Sequence, residues 1–153
     1  MRLVPMTQED FDLWSPRSRK TYAQEKMKAN GYSQELAKKL ETEEYNRLLP
    51  NGLRSNNNYL YSFFDDSKRV GFIWFHVQNA NNNRVAFIYD LIVEPKFRGQ
   101  GYGKKIMQLI ENEILAIGVD RVSLHVFGSN KTAISLYQSL GYQTIDLVME
   151  KKL

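Results

Sequence analysis

The chain has 153 residues, a length typical of one domain that can bury a real hydrophobic core. Its composition is 42% hydrophobic and 25% charged, and the absence of cysteine excludes disulfides, thiolate metal sites and cysteine nucleophiles. The formal charge is +4, but basic and acidic residues are mixed along the chain, which favours a solvated surface over nucleic-acid binding. We therefore predict a single domain over residues 1–153.

The sequence lacks an apolar leader, a membrane span and a cluster of metal ligands, and these absences guide our expectations of compartment and metal content. The N-terminus carries no apolar leader, and no run of residues approaches the length of a membrane span. We therefore expect a cytoplasmic protein that binds neither a membrane nor nucleic acid. The 2 histidines are far apart and have no cysteine beside them, so we also expect no metal.

The N-terminal part predicts one strand followed by a helix. Residues 2–6 form a short apolar strand, and Thr7 with Asp10 resembles a capping box at a helix start. Ser15 and Pro16 then predict that the helix restarts, with serine as the cap and proline at the first helical position.

The remaining elements predict an α/β order. The first helix ends at the Asn30–Gly31 stop signal, and Ser33 caps a second helix that breaks at 50–52. Strands then follow at 59–64, 70–78, 84–93, 121–127 and 142–150, with one helix ending at Ile117 and another running from Asn130 to Gly141. A helical crossover makes strands 84–93 and 121–127 parallel.

A glycine-rich turn joins strand 84–93 to the next helix. Its sequence is Arg98-Gly99-Gln100-Gly101-Tyr102-Gly103, and Lys104 and Lys105 follow. Unpaired N–H groups at a helix start, with the helix dipole, favour phosphate, and glycine lets a pyrophosphate approach the backbone. The string lacks the GxxxxGK[ST] pattern of a P-loop, and its spacing and position differ from a Rossmann fingerprint. The alternative is a turn that only allows close helix packing.

Two motifs carry a resemblance to a known family. The turn matches Arg/Gln-x-x-Gly-x-Gly/Ala at every defined position, and with the preceding DLIVEPKF it resembles the coenzyme A loop of the GCN5-related N-acetyltransferase (GNAT) family. The stretch from Asn130 to Tyr142 resembles the family's second signature, Asn-x-x-Ala-x-x-x-Tyr-x-x-x-Gly-Phe/Tyr. The order of elements also agrees over nearly the whole chain. The resemblance implies a single-domain α/β fold with a mixed central sheet of about six to seven strands and flanking helices.

The resemblance also implies an activity and a set of site residues. It implies transfer of the acetyl group of acetyl-CoA, a co-substrate, directly to an amine in a ternary complex, with the coenzyme arm lying between two splayed parallel strands. Tyr137 would protonate the departing thiolate, although it could instead be a core tyrosine on an apolar helix face. The implied coenzyme-binding residues are Leu91, Ile92, Val93, Arg98, Gly99, Gln100, Gly101, Tyr102, Gly103, Lys104, Asn130 and Tyr137.

The sequence does not identify the general base. Members with a strand carboxylate place glutamate shortly before the position of Asp90, but residues 87–89 here are Phe-Ile-Tyr. Asp90 is one candidate base, although it could equally stabilise the strand end. His125 and His76 are others, against the more common structural role of a lone histidine on a strand, and water-mediated deprotonation is the remaining alternative.

The acceptor and the oligomeric state also stay open. Residues that could recognise an amine are Tyr22, Glu25, Tyr32, Trp74 and His76, with packing or a solvated surface favoured for each. A non-catalytic acyl-CoA sensor or interaction module is the rival function, and nucleic-acid binding by a basic domain is a third. The sequence does not decide whether the chain forms a homodimer.

Overall fold

Five strands form one mixed sheet in the computed structural model, which describes residues 1–153 apart from the side chain of Ala80. The strands are β1 (Arg2–Pro5), β2 (Asn58–Asp65), β3 (Lys68–Ala80), β4 (Asn83–Val93) and β5 (Val122–Leu124), which lie in that order across the sheet. The helices are α1 (Gln8–Asn30), α2 (Gln34–Leu48), α3 (Tyr102–Ala116) and α4 (Lys131–Ser139). Within the part of the chain that the structure describes, no helix is long and apolar enough to cross a membrane.

The strand directions confirm the predicted α/β arrangement. Strands β1 to β4 are successively antiparallel, whereas β5 is parallel to β4. Helix α3 makes the crossover that a parallel pair requires. The sheet has five strands, fewer than the expected six to seven, and the difference lies at the C-terminus.

Helix α1 is continuous through Pro16, so the predicted restart at Ser15–Pro16 is wrong. The capping box does form, since the Asp10 N–H donates to Thr7 Oγ1 at 3.1 Å. An internal proline removes one helical hydrogen bond and normally bends or breaks the helix. Here Trp14 and Ser18 are buried on either side of it, and this tertiary packing holds the helix together.

The sheet separates two hydrophobic clusters. Phe72 and Trp74 of β3 pack with Trp14 of α1 and Tyr45 of α2 on one face. Between them, Ile73 faces the opposite cluster, in which buried residues of α3 pack against the sheet. This alternation is the period of two expected of a strand that is covered on both faces. Helices α1 and α2 therefore cover one face, and α3 covers the other.

Tyr89 of β4 forms a bulge. Trp74 pairs with Asp90 and Phe75 pairs with Ile88, so Tyr89 has no partner position across β3. An extra residue of this kind shifts the alternation of the strand by one. As a result, Tyr89 and Asp90 both face α1 and α2, and the ring of Tyr89 stacks on Trp74 with 4.8 Å between centroids.

Strands β4 and β5 separate just beyond the bulge. Their register covers three pairs and ends where Ile88 meets Leu124. Strand β4 continues to Val93, still paired with β3, whereas β5 ends at Leu124. An opening therefore lies beside residues 89–93 of β4, as the resemblance implied.

The predicted last strand, 142–150, does not form. Residues 143–153 lie outside the sheet, and their apolar side chains are exposed, with Ile145 at 90% and Met149 at 89%. Alternating apolar residues show that a segment can pair as a strand, but pairing also requires an edge within reach. In this structure the segment pairs with no edge of the sheet.

We predict that Gly71→Ala destabilises the fold. Gly71 of β3 lies so close to β4 that an added Cβ would overlap the carbonyl oxygen of Ile92. Overpacking of a rigid backbone contact costs about 1–3 kcal/mol. Gly128→Ala is the matched control, because an added Cβ there meets nothing within 4 Å. Urea unfolding of both variants measures the difference, and equal stabilities would contradict the predicted overlap.

Candidate active site

The opening between β4 and β5 is lined by strand backbone. The Glu94 N–H donates to the Val70 carbonyl at 2.8 Å, which fixes the direction of the backbone groups at this end of β4. Because these groups alternate along a strand, those of Leu91 and Val93 point away from β3, into the opening. The Val93 carbonyl there accepts a hydrogen bond from Arg98 Nε at 3.0 Å. The opening thus offers donors and acceptors at fixed spacing.

The glycine turn lies at one end of this opening. Gly99 has φ +72° and Gly101 has φ +82°, a left-handed conformation that favours glycine. A Cβ added at either position would meet nothing within 4 Å, so the space above the turn is free. Gly101 caps α3 without a side-chain hydrogen bond, and the first turn of α3 carries no acidic residue. The N–H groups of that turn and the helix dipole therefore suit an anion.

Other side chains of the turn hold it in place. Tyr102 donates its hydroxyl to Asp65 Oδ2 at 2.6 Å, and Gln100 Nε2 donates to the Lys96 carbonyl at 3.0 Å. Gly103 lies against α4, since a Cβ there would be 3.1 Å from Leu136 Cδ2. Close helix packing, the alternative role for a glycine in this turn, therefore applies at Gly103. The roles of all three residues in coenzyme binding stay predictions.

Asp90 lies in the layer between β4 and α1. The indole N–H of Trp14 donates to Asp90 Oδ2 at 2.9 Å. Burial raises the pKa of Asp90, although hydrogen bonds from Ser18 and Trp14 oppose that shift. Ser18 also shares a hydrogen bond of 2.6 Å with the hydroxyl of Tyr45. Asp90 is thus a positioned carboxylate that takes up a proton more readily than an exposed aspartate.

Tyr137 lies on α4, on the opposite side of the sheet from Asp90. Its ring packs beside Tyr142 with 5.8 Å between centroids, and both rings border the cluster under α3. Burial raises the pKa of Tyr137, and the negative charge of Asp90 raises it further. The two groups therefore interact electrostatically. At neutral pH the phenol is protonated.

Glu25 adds a second carboxylate near Asp90. It lies on the solvent side of α1, and its pKa is raised by partial shielding of the carboxyl from water and by the charge of Asp90. Arg17 of the same helix binds Glu94 through two hydrogen bonds, of 2.8 and 3.0 Å, which tie α1 to the end of β4. The α1 side of the opening therefore carries more than one acidic group.

The two histidines occupy different environments. His125 follows the last residue of β5 and remains accessible to solvent, and its pKa is lowered by partial shielding of the ring from water and by the charge of Lys26. His76 packs beside Tyr89, and its pKa is lowered by burial and by Arg47. Both imidazoles are therefore neutral near pH 7. Among the described residues, no three His, Cys, Asp or Glu side chains form a metal-binding group.

The remaining candidates have structural contacts. Trp74 is 1% exposed and donates its indole N–H to Asn58 Oδ1, so packing is confirmed as its role. Tyr22 packs against Tyr45 with 5.9 Å between centroids, whereas Tyr32 is exposed. Asn130 caps α4 by accepting the Ala133 N–H at 3.1 Å.

Three residues that contact or surround Asp90 were missed in the sequence. Trp14 and Ser18 are four positions apart and therefore lie on one face of α1, while Tyr45 approaches from α2. In the sequence this spacing indicates only a buried helix face, so it predicts packing and gives no sign of a contact with a carboxylate. Nothing local connects Trp14 with a carboxylate 76 positions later in the chain.

Comparisons with known proteins agree with this geometry. The model of the acetyltransferase (GNAT) family matches residues 18–142. The sequence is 36% identical over 152 residues to YycN of Bacillus subtilis, an uncharacterized N-acetyltransferase, covering 99% of this chain and 97% of that protein. YdgE, also an uncharacterized N-acetyltransferase of Bacillus subtilis, is 30% identical over the same shares of the two chains.

Solved structures show the same fold. The crystal structure of YycN superposes with a TM-score of 0.92 at 36% identity, covering 99% of this chain and 98% of that one. AAC(6')-Iy, solved in complex with a bisubstrate analogue, CoA-S-monomethyl-acetylneamine, superposes with a TM-score of 0.65 at 15% identity. That pair covers 99% of this chain and 97% of the other, and at such low identity the likeness concerns the fold.

We predict that Trp14→Phe raises the pKa of Asp90, because the variant removes an N–H that stabilises the ionised carboxylate. A carbon-detected NMR titration of the Asp90 carboxyl measures the shift. The lost hydrogen bond to a charged group should also cost about 1–3 kcal/mol of stability at neutral pH.

A double-mutant cycle with Asp90→Leu separates this hydrogen bond from the cavity that phenylalanine leaves. The coupling energy between the two positions should be clearly favourable. A coupling energy of zero, or an unchanged pKa, would contradict the importance of the contact.

Proposed function

This chain belongs to the acetyltransferase (GNAT) family, and from that membership we propose that it transfers the acetyl group of acetyl-CoA to a primary amine of a small molecule or peptide. The transfer is direct, within a ternary complex. The observation that carries the proposal is the opening between β4 and β5, which leads to the glycine turn. Unpaired strand backbone followed by a helix N-terminus suits a coenzyme with an extended amide-containing arm and a pyrophosphate. The coenzyme A analogue bound by AAC(6')-Iy, a protein of similar fold, supports the same choice.

The coenzyme is held by backbone at both ends of the opening. The groups of Leu91 and Val93 that point into the opening bind the amides of the pantetheine arm, much as a neighbouring strand would. The N–H groups from Gly99 to the first turn of α3 bind the pyrophosphate, whose charge suits the helix N-terminus. Lys104, exposed in that turn, adds positive charge. This arrangement leaves the thioester near the bulge.

The chemical step is attack of a neutral amine on the thioester carbonyl. The new C–N bond forms a tetrahedral oxyanion, which a backbone N–H of β4 stabilises, and collapse of this species breaks the C–S bond. Tyr137 gives its proton to the departing thiolate, so coenzyme A leaves as the thiol. Its raised pKa keeps the proton available at neutral pH.

The proton that leaves the amine goes to Asp90, directly or through one water. Its raised pKa makes the carboxylate a stronger base than an exposed aspartate, and its bond to Trp14 fixes its orientation. Because only the ionised carboxylate accepts a proton, kcat/KM should fall as the pH drops through this pKa. In the Trp14→Phe variant this fall of kcat/KM should begin at a higher pH, because the pKa of Asp90 is higher there. Glu25, on the exposed side of α1, attracts the cationic acceptor toward Asp90.

Gly101→Glu should abolish coenzyme binding. The substitution places bulk and negative charge where the pyrophosphate would lie, while the space above Gly101 is otherwise free. Calorimetric titration with acetyl-CoA and with coenzyme A, with NADH as the comparator, measures the effect in the wild type and the variant. Binding of both coenzymes and not of NADH is expected for the wild type.

Gly31→Glu is the matched control for that experiment. Gly31 also has a positive φ, +66°, and a Cβ there also meets nothing within 4 Å, so backbone strain and added charge are similar. It lies at the end of α1 and should keep coenzyme affinity. Wild-type affinity in Gly101→Glu would remove the turn from the binding site.

Tyr137→Phe should slow turnover while leaving coenzyme affinity nearly unchanged. Loss of a general acid costs about 100- to 10,000-fold in rate. Release of coenzyme A thiol measures turnover, using an amine found by screening diamines, amino acids, aminoglycosides and peptide N-termini. Tyr142→Phe is the control, since it removes the neighbouring hydroxyl, which donates to Glu111 at 2.9 Å. Equal rates in the wild type and Tyr137→Phe would exclude Tyr137 as the acid.

A further inference from the structure

Two buried hydroxyl groups lie in the apolar layer between the sheet and helices α1 and α2. They belong to Ser18 of α1 and Tyr45 of α2, and their oxygens are 2.6 Å apart. Tyr45 is part of the cluster that contains Trp14 and Trp74, where purely apolar side chains could fill the same space. A buried hydroxyl is costly unless it is hydrogen-bonded, so packing alone does not explain this pair.

The two hydroxyls lead to the carboxyl of Asp90. An ionised carboxylate can only accept hydrogen bonds, so the hydrogen bond between Ser18 and Asp90 uses the single hydroxyl proton of Ser18. The Ser18 oxygen is then the acceptor of its second bond, and Tyr45 must donate to it. Burial raises the pKa of Tyr45, so the phenol keeps the proton that it donates. The donors therefore run in one direction, from Tyr45 through Ser18 to Asp90.

The ring of Tyr45 is held from two sides. It packs against Trp74 of β3 with 5.4 Å between centroids. The guanidinium carbon of Arg19 lies over it, 4.9 Å from the ring centroid, and Arg19 also binds the buried Glu41 of α2 at 3.0 Å. These contacts restrict the ring, so the hydroxyl stays directed at Ser18.

Other titratable groups act on Asp90 through space. They lie on α1 and α4 and are Arg17, Glu25 and Tyr137. Direct hydrogen bonds to the carboxyl come from Trp14, from Ser18 and from the Leu91 N–H. An N–H group only donates, whereas the Ser18 hydroxyl also accepts a bond from Tyr45. Through Ser18, a residue of α2 therefore influences the carboxyl.

We propose that Tyr45, acting through Ser18, is a positioning residue that holds Asp90 ionised and directed for its role as the base. A hydroxyl that accepts a hydrogen bond becomes a stronger donor, so the bond from Tyr45 strengthens the bond from Ser18 to Asp90. The chain of hydroxyls joins α2, α1 and β4 at this carboxyl. The inference rests on the proposed function only in taking Asp90 as the base.

The proton affinity of Asp90 tests the chain without any substrate, by carbon-detected NMR titration of its carboxyl. Ser18→Ala removes a donor to the carboxylate and should raise the proton affinity about tenfold. Tyr45→Phe keeps the ring and removes only the phenol hydroxyl, so it should raise the proton affinity by a smaller factor, about twofold. Both variants lose stabilisation of the ionised form, so both should raise the pKa of Asp90.

A double variant shows whether Tyr45 acts through Ser18. In the Ser18→Ala background, Tyr45→Phe should leave the pKa of Asp90 unchanged, because the link between the phenol and the carboxyl is already absent. Tyr61→Phe is the matched control. Tyr61 is partly buried on the opposite face of the sheet, beside Phe75, and loss of its hydroxyl should change nothing at Asp90.

An unchanged pKa of Asp90 in Tyr45→Phe would show that Tyr45 only packs there and would overturn the proposal. An equal shift in both backgrounds would also overturn it, because Tyr45 would then act on Asp90 directly.

The pH dependence of kcat/KM extends the test to catalysis. The fall of kcat/KM at low pH should begin at a higher pH in Ser18→Ala and in Tyr45→Phe than in the wild type. If the NMR shifts appear and this fall does not move with them, Asp90 is not the base. That result overturns the base assignment in the proposed function, while the hydrogen-bond chain from Tyr45 to Asp90 stands.

Discussion

The bulge at Tyr89 is the constraint on which the candidate site depends. One extra residue in β4 turns Asp90 toward Trp14 of α1 and restores the alternation of Leu91 and Val93 beyond it. Pairing with β5 ends at the same place, because β5 stops at Leu124. The end of β5 leaves the backbone of β4 without a partner, and the bulge places a carboxylate beside that opening.

The two faces of the sheet contribute different chemistry to this opening. The face covered by α1 holds Asp90, whose burial raises its pKa, while α4 brings Tyr137 from the other face. Electrostatic interaction between them raises the pKa of the phenol further. A carboxylate with a raised pKa and a phenol that keeps its proton fit the base and the acid that we propose for the acyl transfer.

Local signals predicted much of this structure. The capping box at Thr7, the serine cap at Ser33 and the asparagine cap at Asn130 depend on neighbours within three positions, so the sequence contains the whole interaction. The glycine turn after β4 is local too, since Gly99 and Gly101 are placed by their own left-handed backbone. Together with the family signatures, these signals determined the order of elements and the family.

Interactions between distant segments were decided by the tertiary structure. Pro16 appeared to restart α1, yet packing of Trp14 and Ser18 keeps that helix continuous. The bond from Trp14 to Asp90 joins residues 76 positions apart, and no pattern along the chain indicates it. The alternation of residues 143–153 determined that they can form a strand, but not which edge they reach. Sequence thus determined what each segment can form, whereas burial and long-range pairing determined which segments meet.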